Sequence, residues 1–470
     1  MQQLTPSSGN QPPELTVHFY GGMLGALFPF LVVVTGIVII ALSGAPDEKG
    51  FWPILLGGLI LSLLLARNKT DLCEVLIQGM SQPIVMIMIM AWMLASIIGV
   101  LMKETGFIES LIWISSQFNL GGISFILATF LICCVVSTST GTSFGTILIC
   151  GPLLFPAGGI LGSDLPTLAG AILGGATFGD NISPISDTTI ASALSQKADI
   201  GGVVRSRLKY SIPAASIALI CYAISAGVLS GEPITSTAQI QGSVKGLPML
   251  LVPVLIVGLL LGGRHLLQGL FFGLTLGIII GLIFGLLPGD RLLALDRENF
   301  TATSFIIDGI NRGLGISVFT IFLMGQVAAL KASGVLNKLV QFSARSAKTA
   351  AAAEVWIVSV VGGALLLTCH SVVGILTAAD FTRETGERFD IHPYRRANLL
   401  DVTASTFVFI LPYFIPVILT ASITSSGSEY GLPTLNPLEV GIRNFYSWIL
   451  LLILIFSLVT GYGRRFAADR

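Results

Sequence analysis

Long apolar runs separated by short polar joints fill the chain from residue 24 to residue 462. A bilayer core takes about 20 apolar residues per helix. Runs near 24–44, 51–66, 83–102, 164–195, 209–230, 247–263, 265–287, 313–331, 397–424 and 444–462 therefore predict ten crossings. Two further apolar stretches have polar centres. Residues 122–158 are interrupted by STSTGTS at 137–143, and residues 353–382 by TCHSVVG at 368–374. The first arm, GISFILATFLICCVV, is 15 residues long. That is roughly 22 Å of helix, short of a ~30 Å hydrocarbon core. Both stretches are expected to be re-entrant hairpins. Their tips would stop near mid-membrane, where non-helical backbone is tolerated only inside protein or beside water.

The two halves of the chain share an order. LMKETGFIESLI (101–112) lines up with ALKASGVLNKLV (329–340), and the STSTGTSFG tip then lies over TCHSVVG. In each half a span, a Lys-x-x-Gly, an amphipathic stretch, a hairpin, a polar-interrupted span and a final span follow one another, which is an internal repeat. Five crossings per unit turn the second copy upside down, an inverted-topology repeat of the secondary-transporter kind. The expected fold is thus all-α and polytopic: ten transmembrane helices as two inverted five-helix repeats, each with a re-entrant hairpin and a discontinuous helix. The predicted boundaries are an N-terminal tail (1–23), repeat one (24–230; hairpin 122–158, broken helix 164–195) and an external linker (231–246). Repeat two (247–463; hairpin 353–382, broken helix 397–424) and a C-terminus (464–470) complete the chain.

Positive charge tests this count. With the N-terminus in the cytoplasm, eighteen of the 25 Lys and Arg fall inside and seven outside. Arg207, Arg264, Arg395 and Arg396 are counted among the cytoplasmic ones. Both termini are then expected in the cytoplasm of a bacterial inner-membrane protein.

Composition agrees. Of 470 residues, 53% are hydrophobic and 11% charged, and the mean hydropathy is +0.87. The 53 glycines suit close helix packing in lipid. Zero net charge gives no reason to expect a nucleic-acid partner. The six cysteines show no CxxC and no Cys/His ligand spacing, so they read as inert core thiols, and no cofactor is expected. The first twenty residues hold no Lys or Arg and read as a short tail, not a cleavable signal.

The candidate chemistry sits in GATFGDNISPISDTTIASA, 175–193. A carboxylate at the bilayer centre costs about 2.5–3.5 kcal/mol, so Asp180 and Asp187 need compensation there. Pro184 removes an N–H and frees a carbonyl one turn back. A helix broken near Asn181–Ser186 exposes carbonyls, carboxylates and the hydroxyls of Ser183, Ser186, Thr188 and Thr189 together. These are hard oxygen ligands, suited to Na+, Li+ or a proton, with Asp180, Ser183 and Asp187 the expected Na+ ligands. The run SDTT from Ser186 is an N-cap signature for the next half-helix. Alternatively, the segment is a proline kink whose carboxylates reach a loop. In the second half Asp401 opens an apolar span, followed by Thr403 and Ser405; it reads equally as an interfacial N-cap or a site residue. The hairpin tips add Ser139, Thr140, Thr142 and Ser143, and Thr368, His370 and Ser371. His370 could carry a proton or bind an anion, or simply be hydrogen-bonded.

The motif F-G-D-x-x-S-P-x-S-D-T-T, present ungapped as FGDNISPISDTT at 178–189, resembles the NhaC family of sodium/proton antiporters in the ion-transporter superfamily. Residue by residue the resemblance implies Asp180, Ser183, Asp187, Thr188 and Thr189 in repeat one and Asp401 in repeat two. It also implies homodimers and an elevator-like motion, with Na+ and/or H+ as coupling ions. The chain departs from the pattern after Asp401, where TASTFVFIL delays proline to 412, and at Cys369-His370. Two carriers are therefore expected. The first is a Na+/H+ antiporter; the second is a Na+- or H+-coupled antiporter of a small carboxylate or amino acid. The absence of an evident buried Arg or Lys weighs against a polyanion. An aspartyl hydrolase needs carboxylates on adjacent helices, whereas Asp180 and Asp187 share one broken segment. A channel lacks its repeated filter sequence.

Overall fold

The computed structural model describes residues 15–43, 48–118, 121–229, 242–296, 301–335 and 348–467. The start of the expected tail, the first eleven residues of the linker (231–241), the last three residues and part of the second aligned stretch (336–340) lie outside them. In chain order the helices are α1 (Gly22–Leu42), α2 (Trp52–Leu65), α3 (Lys69–Met80), α4 (Pro83–Glu104) and α5 (Phe107–Gln117). Then come α6 (Gly122–Thr140), α7 (Ser143–Ile160), α8 (Leu165–Ile182), α9 (Asp187–Ser195) and α10 (Ile200–Leu229). The second half holds α11 (Leu251–Leu261), α12 (Leu266–Ile283), α13 (Phe305–Ala332), α14 (Ala350–Thr368) and α15 (Ser371–Arg388). It ends with α16 (Pro393–Phe407), α17 (Ile415–Ile423), α18 (Pro437–Arg443) and α19 (Phe445–Thr460). A short antiparallel ribbon, Ala294–Asp296 with Thr301–Thr303, precedes α13.

This is a polytopic all-α membrane protein. Among the described residues eight helices are long and apolar enough to cross a bilayer, or nine with the bent pair α18–α19. Their apolar side chains face outward in helical register: Leu24, Phe28 and Leu31 on α1, and Ile217, Ile220, Ile224 and Val228 on α10. In water that much exposed hydrocarbon is a liability; in lipid it is the solvent-facing surface. Two expected spans, 51–66 and 247–263, are short helices of 14 and 11 residues, the second extended by a 3-10 turn at Leu247–Leu250. Both polar-interrupted spans are split. The first breaks between Ile182 and Asp187, the second between Phe407 and Ile415. The delayed proline therefore still accompanies a break, six residues beyond Asp401.

The first arm has 19 residues and not 15, because the hydroxyl run stays helical, so α6, like α7 and α14, is among the eight helices long enough to cross and its length does not by itself make it re-entrant. Thr138 Oγ1 bonds back to the Cys134 carbonyl (2.7 Å) and Ser137 Oγ crosses to the Ala176 carbonyl (2.6 Å). The two tips have the same backbone. Thr140 and Thr368 each end a helix. Gly141 (φ 68°) and Cys369 (φ 51°) follow in the left-handed region. Thr142 (φ −146°) and His370 (φ −142°) are then the extended N-caps of α7 and α15. A β-carbon is costly at positive φ, so Cys369 holds the strained version of the turn that Gly141 adopts freely.

The helices pack as two groups. One joins α1–α4 with α11–α13; the other joins the hairpins, the split spans, α10, α18 and α19. In the second group α6 lies tightly on α8, where a β-carbon on Gly175 or Gly179 would strike the α6 backbone. Small residues allow such close approach in lipid.

Several expectations need correction. Arg207 does not lie in a cytoplasmic loop. Helix α10 starts at Ile200, nine residues before the expected span, and Arg207 is wholly buried on the face of Val203, Ala214 and Tyr222. Arg395 and Arg396 are buried as well. Buried arginines are thus present, and without these three the charge count still favours the same side, fifteen to seven. Cys73 is exposed and Cys221 half-buried, so only the other four cysteines are core thiols.

Candidate functional site

The first hairpin tip and the first break meet at Asp180, in the last turn of α8. Its Oδ2 accepts from Ser143 Oγ (2.7 Å) at the start of α7. Its Oδ1 accepts from Ser186 Oγ (2.6 Å), across the break. Ser186, not Asp187, is the N-cap of α9, and its side chain makes no cap hydrogen bond. The hydroxyl instead serves Asp180 and lies 3.0 Å from Thr188 Oγ1. Two hydroxyls on one carboxylate still leave lone pairs for a cation or a proton. Ser183 Oγ, one turn away, is buried without a partner.

Asp180 lies on the wall of a cavity of about 500 Å³ between the two helix groups. Both hairpin tips reach it, through Thr140, Thr142 and Ser143 and through His370 and Ser371. Ser186, Asp187 and Thr188 line it from the break, and Trp92 and Met88 from α4. The exposed joint Gly263–His265 completes the wall. His370 Nδ1 is buried without a partner. Asp187 is exposed and lines this wall.

The other expected residues fall elsewhere. Asn181, Thr189, Asp401 and Ser405 form a buried lattice behind the cavity. Asn181 Nδ2 donates to Ser405 Oγ (2.9 Å), and its Oδ1 accepts from Ser211 Oγ (2.6 Å) and Tyr446 OH (3.1 Å). Asp401 is no N-cap: it sits mid-helix in α16 and is ion-paired with Arg207 at 2.6 Å, both side chains fully buried. Thr403 spends its hydroxyl on the Leu399 carbonyl (2.6 Å), Thr368 donates to the His370 carbonyl (3.3 Å), and Ser139 is half-buried. Among the described residues no group of three or more His, Cys, Asp or Glu gathers as a metal cluster.

Arg207 is the residue that sequence reasoning missed. The cationic run VVRSRLKYS reads by its charge as the cytoplasmic approach to a span beginning at 209. The usable signal was the 3.6-residue spacing of small and aromatic residues, Ala214, Ala218 and Tyr222, which extends back to Arg207.

A hydroxyl-held carboxylate on a broken membrane helix is the motif first read at 178–189. Residues 15–231 match the Na+/H+ antiporter family. The resemblance drawn from FGDNISPISDTT thus holds over a stretch containing the first tip, the first break and Arg207. Over 216 residues the chain is 32% identical to the malate-2H+/Na+-lactate antiporter of Bacillus subtilis, covering 45% of this chain and 46% of that protein. It is 33% identical over 162 residues to the Na+/H+ antiporter NhaC of Alkalihalophilus pseudofirmus, covering 29% and 34%. It is 26% identical over 352 residues to the arginine/ornithine antiporter ArcD of Halobacterium salinarum, covering 67% and 69%. The chain spans about half or less of the length of the first two. All three relatives are antiporters, transporters rather than enzymes.

Proposed function

We propose that the protein is a secondary active Na+/H+ antiporter of the bacterial inner membrane, with Asp180 taking up Na+ and H+ in turn. The observation that carries this reading is the placement of Asp180, held by Ser143 and Ser186 on the cavity wall. Ser183 and Asp187 are the further Na+ ligands, the first with a buried, unengaged hydroxyl one turn from Asp180 and the second a residue lining the same wall. The experiment is Na+-dependent proton movement in sealed vesicles containing the purified chain. A Na+ pulse should move protons the opposite way; a pH signal equal to that of protein-free vesicles would reject the reading.

A second reading is an antiporter of a small organic solute coupled to Na+ or H+. The cavity is far larger than a bare ion, and His370 and Ser371 line it beside the hydroxyls of the first tip. The malate/lactate and arginine/ornithine relatives favour the same reading. Labelled solutes in the same vesicles separate the two.

The repeated order of helices and the matched tips support two inverted repeats with re-entrant hairpins, at the boundaries given above. The two packing groups support an elevator-like motion of the hairpin group against the other; the homodimer is what the family resemblance implies. In the orientation with both termini cytoplasmic, the joint Gly263–His265 is cytoplasmic and the cavity opens inward. In a Cys73→Ser background, Thr140→Cys and Ser371→Cys should therefore react with an impermeant thiol reagent given to the cytoplasmic face. Lys348→Cys should do likewise, whereas Glu429→Cys should react only from outside. Labelling of Lys348→Cys and Glu429→Cys from the same face would refute this topology.

A further inference from the structure

The buried surroundings of Arg207 are those of a cation site. Its Nη1 lies 2.6 Å from Asp401 Oδ2 and 2.9 Å from Thr189 Oγ1, and donates to the Asn181 carbonyl. That carbonyl belongs to the last turn of α8, where helix carbonyls lose their partners. A carboxylate, a hydroxyl and a freed carbonyl converging from α16, α9 and the break are hard oxygen donors of the kind that bind small cations. Nε meanwhile holds Asn398 Oδ1 (3.1 Å). The fit is incomplete: Asp401 Oδ1 and Arg207 Nη2 are both buried without partners. A site evolved around a guanidinium would engage its whole fork, since that planar donor set pairs carboxylates through two parallel bonds. Here a single nitrogen occupies the oxygen cage.

We infer that Arg207 is a tethered cation filling a second Na+ site, whose ligands are Asp401, Thr189 and the Asn181 carbonyl. The chain then loads one mobile Na+, at Asp180, and the second position carries fixed charge that no gradient moves. This rests on the Asp180 reading for the mobile ion, but not for the latent site. Asp401 therefore sets the coupling number through Arg207 rather than as a carrier of ions, and exchange of one residue opens a binding site for a small monovalent cation.

The test is the number of Na+ bound per purified chain, measured with radioactive Na+ by equilibrium dialysis. The wild type should bind one. Arg207→Ala should bind two, and Arg207→Ala/Asp401→Asn should return to one. Arg207→Lys, which keeps a cation in the cage, should also bind one. Two Na+ on the wild type would overturn the inference, as would equal numbers on Arg207→Ala and the double variant. Should Arg207→Ala not fold, the wild-type and Arg207→Lys counts decide, since two ions on either show that a cation at position 207 does not fill the cage. If the wild type binds none, the Asp180 reading fails by itself. The latent site is then still judged by the difference between Arg207→Ala and the double variant, one against none.

Discussion

Asp180→Asn is expected to abolish Na+-driven proton movement while leaving a protein that inserts and purifies as the wild type does. The amide keeps the shape and still accepts one hydroxyl bond, so the Ser143 and Ser186 contacts are partly retained. On the proposed reading, what disappears is the negative charge that would bind Na+ and the oxygen that would bind a proton. Exchange would then arise from competition of those two ions for one carboxylate. Removing that carboxylate should reduce the vesicle signal to the protein-free level. Asp180→Glu should weaken Na+ affinity and keep pH dependence, because the carboxylate survives one methylene out of place. Asp187→Asn should follow Asp180→Asn less severely, since Asp187 is exposed and does not hold the tip to the break. Normal exchange by well-folded Asp180→Asn protein would make this carboxylate structural.

Glu354→Ala is expected to have the largest effect on stability. Glu354 is fully buried on α14, and Arg395 Nε and Nη2 bond its two oxygens at 2.8 and 2.9 Å. Arg464 adds a third contact at 2.9 Å. Arg395 Nη1 also reaches Tyr210 OH and Ser457 Oγ, each at 2.7 Å, so one network ties α14, α16, α10 and α19. Removing the carboxylate leaves a guanidinium buried without its counter-charge. Breaking a buried pair from one side costs about 3–5 kcal/mol. The yield of monodisperse protein on size exclusion should collapse. Glu354→Met/Arg395→Met should recover much of it, because removing both charges is far less costly than removing one. Equal losses in the single and double variants would show that packing, not charge, dominates here.

The fold was legible wherever local chemistry decided it. Apolar run length gave the spans, and Pro184 with the clustered Asn, Ser and Asp gave the first break. The second break was harder to read, because TASTFVFIL continues the helical pattern through Phe407 and the proline lies late. Asp180 was legible because a carboxylate beside glycine and proline has no local reason to sit in lipid. Its partnership with Ser143, 37 residues earlier, was only implied by the hydroxyl-rich tip. The buried pairs were not legible. Arg207 and Asp401 are 194 positions apart, and each reads alone as an interfacial charge. Only the packing of α10 against α16 removes both from solvent. Glu354 and Arg395 escaped for the same reason, since each lies near a helix end that suggests water.

If Na+ and H+ share one carrier, a proton gradient alone must drive Na+ uphill. Vesicles containing the purified wild type should be prepared with equal Na+ on both sides and an acidic interior. The proton gradient should drive radioactive Na+ inward above its outside concentration, and Na+ should run back out when the pH gradient is collapsed. Na+ that stays equal across tight, proton-loaded vesicles of active protein would show that the two ions do not share a carrier.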